Sequence, residues 1–323
     1  IGGATGYVGL ELIKILNKHP KVKIKYLCAQ KSAGKSITFF DKTIKKKLPK
    51  ISKINKVNWR DIDVLFTALP NGESQKISKI IPNRVKLIDL SADFRIKNTS
   101  TYKKWYGIEH ANKKLNKVAI YAISEFYRKE LKSKKVIACP GCYPTSILLP
   151  LVPILKNKLV KSKNIIIDSK SGYSGAGKGI HTRFKKKHLY ESVSAYGVGS
   201  HRHMAEIDQE LLKISGKNIN ISFTPHLMPM FRGILSTIYV QPTSKNNAKT
   251  IYNLLKKVNK NNYFVKIAKF NSHIGTGGVM NTNFCEISVC KNRDDNGVII
   301  VSAIDNLIKG AAGQAVQNMN ISY

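Results

Sequence analysis

The stretch 135–145, K-V-I-A-C-P-G-C-Y-P-T, leaves the chain few options. Residues 135–138 read as a short buried strand, and S-I-L-L at 146–149 reads as the start of a helix. Pro144 suits a first helical turn, where a missing N–H costs nothing. Cys142 then falls in a strand-to-helix turn, facing backbone N–H groups that favour thiolate over thiol. Local context leaves two readings open, a nucleophile or a small buried hydrophobe. Cys139 and Cys142 also form a C-x-x-C, which could be a redox pair or half a zinc site. Cys285 and Cys290 are five apart and give no second C-x-x-C, so no metal is expected.

At the start of the chain, residues 3–9 spell G-A-T-G-Y-V-G and open into 10–17, where Leu10, Ile13 and Leu16 recur at helical spacing. Such glycines allow a tight turn and let a pyrophosphate approach a helix N-terminus. A glycine-rich turn without a ligand is the rival reading. Apart from Ile1 the strand that should precede the loop is missing, so several native residues are expected to be absent from the sequence. Residues 23–29 read as the second strand. Ala29-Gln30-Lys31-Ser32 follows with no acid to bind ribose hydroxyls, which favours the 2'-phosphate of NADP, with Lys31 and Ser32 as its contacts. Residues 63–67 and 85–90 read as further parallel strands, and the loop 68–74 would line a cofactor crevice. Arg95 either grips a substrate carboxylate or phosphate, or pairs with Asp93.

Downstream, 148–159 has helical spacing with a break expected at Pro150, and 165–169 reads as a strand. The loop 171–178, S-G-Y-S-G-A-G-K, could cradle an anion through backbone N–H groups or lie free on the surface. His201-Arg202-His203 precedes an amphipathic helix over 205–214 that carries Glu206, Asp208 and Glu210. An imidazole before a helix N-terminus is favoured in its neutral form, which suits a base, and an acid one turn away can orient it. A surface histidine pair is the alternative. Strands at 219–224, 234–241, 282–289 and 298–303 are not separated by evident helices, and 225–233 reads as a joining loop. They imply an antiparallel or mixed sheet able to face a partner subunit. A final helix over 305–318 carries Gly310, Ala311 and Gly313, which permit close backbone packing.

Composition narrows the function classes. With 323 residues, 42% of them apolar, the chain can bury a large core in two domains. No apolar run approaches the roughly 20 residues that span a bilayer, and nothing resembles a secretory signal. Five cysteines, an odd number, fit a reducing, cytoplasmic setting without a disulfide framework. The net charge is +36, yet only eight of the 55 basic residues are arginine. The lysines are scattered and form no stripe with interleaved aromatics. Lysine, asparagine and isoleucine share A/T-rich codons, so compositional drift is favoured over a nucleic-acid partner. The field could still steer a phosphorylated substrate.

The run P-G-C-Y-P-T and the H-R-H at 201–203 resemble the motifs of the N-acetyl-gamma-glutamyl-phosphate reductase family, related to the aspartate-semialdehyde dehydrogenases. Further segments resemble it in order at 3–9, 68–74, 89–95, 169–178, 195–206, 225–235 and 305–320. The resemblance implies an α/β fold. A Rossmann-type doubly wound parallel sheet over 1–141 would be completed by a C-terminal helix over 304–323. An α+β catalytic and dimerisation domain would span 142–303. It implies NADP bound by Gly3, Thr5, Gly6, Tyr7, Val8, Gly9, Lys31, Ser32, Leu69, Pro70, Ser171, Gly172 and Asn306. Arg95, Ser174 and Arg202 would contact a small acyl-phosphate substrate. Cys142 would carry a thioester, His201 would lead as base with His203 second, and Glu206 would orient the ring. A homodimer or homotetramer is implied. Rival functions are aspartate-semialdehyde dehydrogenase, a carrier-linked acyl-phosphate reductase, a thiol oxidoreductase built on C-P-G-C, and a basic nucleic-acid-binding protein.

Overall fold

The computed structural model describes residues 1–45, 47–179, 190–293 and 297–323. Lys46 and the basic run at 185–187 lie outside them. The chain divides into two units, one comprising Ile1–Pro140 with Ala311–Tyr323, the other Gly141–Gly310. The return to the first unit falls at Ala311 rather than 304, because Ile304 is the last paired residue of a strand in the second unit's sheet.

The first unit is built on a parallel sheet of β1 (Val64–Thr67), β2 (Lys86–Asp89), β3 (Ile120–Tyr121) and β4 (Val136–Ala138), in the order β1-β2-β4-β3. Gly2 extends it with parallel bridges to Thr67 and Cys28, and Cys28 bridges Ser52. The full order runs Ser52, Cys28, Gly2, then β1, so the direction of winding reverses between Gly2 and β1. Dinucleotides bind at such a switch, beyond the carboxyl ends of the strands. Apolar clusters cover the two faces, one around Leu12, Ile88, Ile137 and Val316, the other around Leu65, Leu87, Phe94 and Val136.

The strand expected over 23–29 shrinks to the single bridge at Cys28. Its neighbour supplies only Ile1 and Gly2 for pairing: Ile1 donates to the Tyr26 carbonyl, and Cys28 donates to that of Ile1.

The second unit holds a seven-stranded mixed sheet. Its strands are β5 (Ile165–Gly172), β6 (Ser194–Ala195), β7 (Ile221–Met228), β8 (Ile234–Val240), β9 (Val265–Ile267), β10 (Cys285–Lys291) and β11 (Val298–Ile304). The order is β6-β7-β5-β8-β11-β10-β9. β7 runs through Pro225, which had been assigned to a loop. A proline lacks only the N–H, and the Pro225 carbonyl still accepts from Tyr196. The helix Cys142–Lys156 packs on one face of this sheet. It does not break at Pro150 and continues through Pro153. Every residue from Tyr143 to Leu155 is buried, and that burial outweighs the hydrogen bonds the two prolines forfeit. Among the described residues no helix is long and apolar enough to cross a membrane.

Gly3 marks where this fold is least tolerant. Its φ is +79°, and a β-carbon there would sit inside the Ala68 carbonyl. Gly3→Ala is expected to cost about 2 kcal/mol or more in urea unfolding. A midpoint equal to wild type would show that the loop is not held against β1.

Candidate active site

In the first unit, Gly2 carries the chain into the turn at Gly3, and the helix Tyr7–Asn17 starts after Gly6. A β-carbon on Gly9 would strike the Gly3 carbonyl, so loop and helix are packed backbone on backbone. Gly6 offers no side-chain cap, and the first turn contains no acid. The start of this helix therefore suits an anion. Gly3 and Ala4 both donate to the Cys28 carbonyl, and Ala68 donates to that of Gly2. These bonds bring Gly3, Thr5, Gly6, Tyr7, Val8 and Gly9 beside Leu69 and Pro70. Gln30, Lys31 and Ser32 form one short turn just past Cys28, at the end where a ribose would lie.

Two buried acids fix the walls of this crevice. Asp89 accepts from the hydroxyls of Thr67, Ser74 and Ser91, each at 2.8 Å. Burial, and then the charge of Asp93, push its carboxyl above the usual range. Asp93 accepts the Gly72 N–H at 2.7 Å and the Tyr102 hydroxyl at 2.8 Å. Arg95 donates Nε to the Cys139 carbonyl and a terminal nitrogen to that of Leu90, both at 2.8 Å. The guanidinium is therefore engaged in holding the segment that leads into the cysteine turn. The Cys139 thiol is fully buried, and that burial pushes its pKa up to about 12. A thiol of that kind is neutral and inert at physiological pH, which counts against a redox pair.

In the second unit, Cys142 is the first residue of its helix and is half-buried. Gly141 caps that helix in an extended conformation. Its N–H donates to Glu206 Oε2 at 2.8 Å, and Glu206 is fully buried. Glu206 Oε1 lies 3.9 Å from His203 Nε2. The His203 ring lies flat against Gly141: a β-carbon there would stand 2.5 Å from Nε2 and 2.7 Å from Cε1. His203 is the N-cap of the helix Met204–Ser215, so both histidines precede it even though Ala205 stands where a proline would fix the start.

His201 is held differently. Its Nδ1 accepts the His203 backbone N–H at 3.2 Å, which leaves the ring proton on Nε2. The rings of Tyr143, Tyr196, Phe223 and His203 surround it at centroid distances from 4.8 to 5.7 Å. Burial, with the neighbouring Arg202 charge, lowers its pKa to about 4. Arg202 itself is exposed. Tyr143 also packs on His203 at 5.9 Å, and its hydroxyl meets that of Tyr196 at 2.8 Å. In a second cluster of the same unit, Asn306 donates to the Ser174 hydroxyl at 3.0 Å and accepts the Gly233 N–H at 2.7 Å. Gly172 is pressed on the backbone of Phe231 and Arg232.

Cys142, His201, His203, Glu206, Ser171, Gly172, Ser174 and Asn306 thus share the second unit, while the glycine loop, Lys31, Ser32, Leu69, Pro70 and Arg95 belong to the first. Sequence reasoning missed Gly141, Tyr143 and Tyr196 as parts of the site. Tyr143 and Gly141 flank the cysteine, and the Gly141–Glu206 bond spans 65 residues, a distance no local pattern reports. Among the described residues no group of three or more His, Cys, Asp or Glu is placed to hold a metal ion.

The cage around His201 sets a pH dependence. Below about pH 6.5 the unfolded chain takes up a proton that folded His201 refuses until about pH 4. Stability conferred by the neutral ring is therefore full above pH 7 and falls as pH drops through that window. Unfolding midpoints of His201→Asn should decline less between pH 7 and 4 than those of wild type. A steeper decline would contradict the cage.

Residues 1–134 match the family model described as semialdehyde dehydrogenase, NAD binding domain, and residues 142–306 match semialdehyde dehydrogenase, dimerisation domain. The first match assigns a nicotinamide cofactor to the first unit. The chain is 44% identical to N-acetyl-gamma-glutamyl-phosphate reductase of Thermoanaerobacter pseudethanolicus, over 100% of this chain and 94% of that protein. It is 46% identical to the protein of that name from Ehrlichia ruminantium, over 99% and 92%. It is 42% identical to the probable chloroplastic one of Arabidopsis thaliana, over 99% and 80%. The solved aspartate semialdehyde dehydrogenase II of Vibrio cholerae, complexed with ASA, superposes with a TM-score of 0.76 at 17% identity, covering 99% of this chain and 96% of that one. At that identity the likeness concerns the fold alone. These matches, together with a cysteine at a helix start and a glycine loop at the sheet's switch point, establish that the chain belongs to the N-acetyl-gamma-glutamyl-phosphate reductase family, within the semialdehyde dehydrogenases.

Proposed function

We propose that the chain reduces N-acetyl-L-glutamyl 5-phosphate to N-acetyl-L-glutamate 5-semialdehyde and phosphate with NADPH, through a thioester on Cys142, as a step of arginine biosynthesis. The observation that carries this reading is the arrangement at Gly141. One carboxylate, Glu206, holds the N–H that precedes the nucleophile, and the same carboxylate lies beside the His203 ring that covers that glycine.

Proton transfer is placed on His203 rather than on His201. His203 stacks on the residue adjoining Cys142, whereas His201 is caged and its pKa of about 4 makes it a weak base near neutrality. His203 takes the thiol proton as Cys142 sulfur attacks the acyl carbon. The proton then goes to the departing phosphate, which leaves with the bonding pair. The Tyr143 N–H, in the first turn, faces the developing oxyanion; Pro144 offers none. NADPH, when bound, supplies the hydride that reduces the thioester carbon. The resulting alkoxide expels Cys142 as thiolate, and the aldehyde departs.

The glycine loop with the uncapped helix start at Tyr7 suits the pyrophosphate, and Gly3, Thr5, Gly6, Tyr7, Val8, Gly9, Leu69 and Pro70 would hold it. Lys31 and Ser32 follow Cys28 with no acid among them, which supports NADP over NAD. Ser171, Gly172 and Asn306 are the second unit's candidate cofactor contacts, Ser174 and Arg202 its candidate substrate contacts, and Arg95 is the first unit's. Ile166 and Tyr239, paired on neighbouring strands, are 49% and 41% exposed on the outer face of the seven-stranded sheet, which supports a homo-oligomer through that face.

The test is phosphate-dependent NADP reduction with N-acetylglutamate semialdehyde against aspartate semialdehyde. Cys142→Ser should lose activity by about 10³-fold or more, and His203→Asn by about 10²-fold, consistent with loss of general acid–base assistance. Glu206→Gln should retain more activity than Glu206→Ala, because the amide can still accept from Gly141. Preference for aspartate semialdehyde would move the reading to the neighbouring enzyme, and turnover by Cys142→Ser would remove the thioester.

A further inference from the structure

The nucleophile is supported from behind by a second glycine, Gly310. A β-carbon there would stand 2.8 Å from Cys142 Cβ and 3.2 Å from its Cα, so the Gly310 backbone itself forms the wall against which the cysteine rests. No L side chain fits that gap without moving one of the two backbones.

The local structure that brings Gly310 so close is unusual. Residues Ile308–Ala312 form a π-helical turn, and the Gly310 N–H bonds the Asp305 carbonyl five residues back, at 2.9 Å. A π-turn inserts one residue relative to an α-turn, bulges the backbone outward, and is frequent at functional sites. Asp305 also secures the head of the turn through its side chain. One carboxylate oxygen accepts the N–H groups of Leu307 at 2.8 Å and Ile308 at 3.1 Å. The other accepts from Arg232 at 3.0 Å and from the Asn281 N–H at 2.8 Å. Asp305 is fully buried, and five bonds to one residue, its carbonyl included, leave it a single conformation. Arg232 lies on the segment pressed against Gly172, so the same anchor ties into the Ser171–Ser174 cluster.

We infer that Gly310 is the positioning residue of the nucleophile, and that Asp305 with Arg232 sets it. The turn fixes where the Cys142 β-carbon can be, and so holds its sulfur at the start of its helix. The inference rests on Cys142 being the nucleophile and adds what fixes its place. A displacement of about 1 Å at a reacting atom costs roughly 10²-fold in rate.

The experiment compares wild type, Gly310→Ala and Asp305→Asn by three readouts: kcat and KM, NADP affinity, and the rate of iodoacetamide alkylation of the Cys142 peptide from pH 5 to 9, followed by mass spectrometry. Gly310→Ala should lower kcat by about 10²-fold, slow Cys142 alkylation and shift its pH profile upward, with NADP affinity within about twofold of wild type. Asp305→Asn should change the same quantities in the same direction by less. It decides the matter if Gly310→Ala does not fold. Wild-type alkylation and kcat in a folded Gly310→Ala would overturn the inference. So would a fall in kcat with an unchanged alkylation profile. Failure of the nucleophile assignment itself would show separately, as turnover by Cys142→Ser.

Discussion

The hydrogen bond from the Gly141 N–H to Glu206 is the constraint on which the site depends. A fully buried carboxylate needs donors, and a backbone N–H at a helix start is a strong one. The bond joins the start of one helix to the first turn of another. Because Gly141 has no side chain, the His203 ring can lie directly on it. One residue therefore fixes the direction of the cysteine's helix, the position of an imidazole and the orientation of an acid. Replacing Gly141 would require all three to move.

The two histidines show how similar residues acquire different chemistry. His201 and His203 are one residue apart in a tripeptide, yet one is enclosed by aromatic rings and the other faces a carboxylate. Burial holds His201 neutral far below its ordinary pKa, and its Nδ1 accepts the backbone N–H of His203. It serves as a rigid support on which the second histidine is mounted. Tyr143 extends that support, since its ring packs on both histidines and its hydroxyl reaches Tyr196. Tyr143, the residue after Cys142, thus joins both histidines to Tyr196.

Much of this could be read from the sequence because it is local. The glycine loop, the strand-to-helix turn at Cys142 and the histidines before a helix each occupy fewer than a dozen residues, and each stands where expected. The misreadings have a common origin in tertiary structure. Pro150 reads as a break, but a helix buried all round does not need every backbone bond to persist. Residues 23–29 read as a strand, and only Cys28 of them bridges to neighbouring backbone. Pro225 looked like a loop residue and lies inside β7. Glu206 was found for its position one turn from His203, but its bond to Gly141 could not be foreseen. Gly310 was read as a packing glycine. That it meets Cys142 follows from a π-turn, which has no sequence signature.

The account stands on an acyl group passing through the sulfur of Cys142. The direct measurement is mass spectrometry of acid-quenched protein mixed with N-acetylglutamyl phosphate in the absence of NADPH. The account predicts one acyl increment on the Cys142 peptide, removed when NADPH is added before the quench, and absent in Cys142→Ser. An increment on another residue, or none while turnover persists, would contradict it.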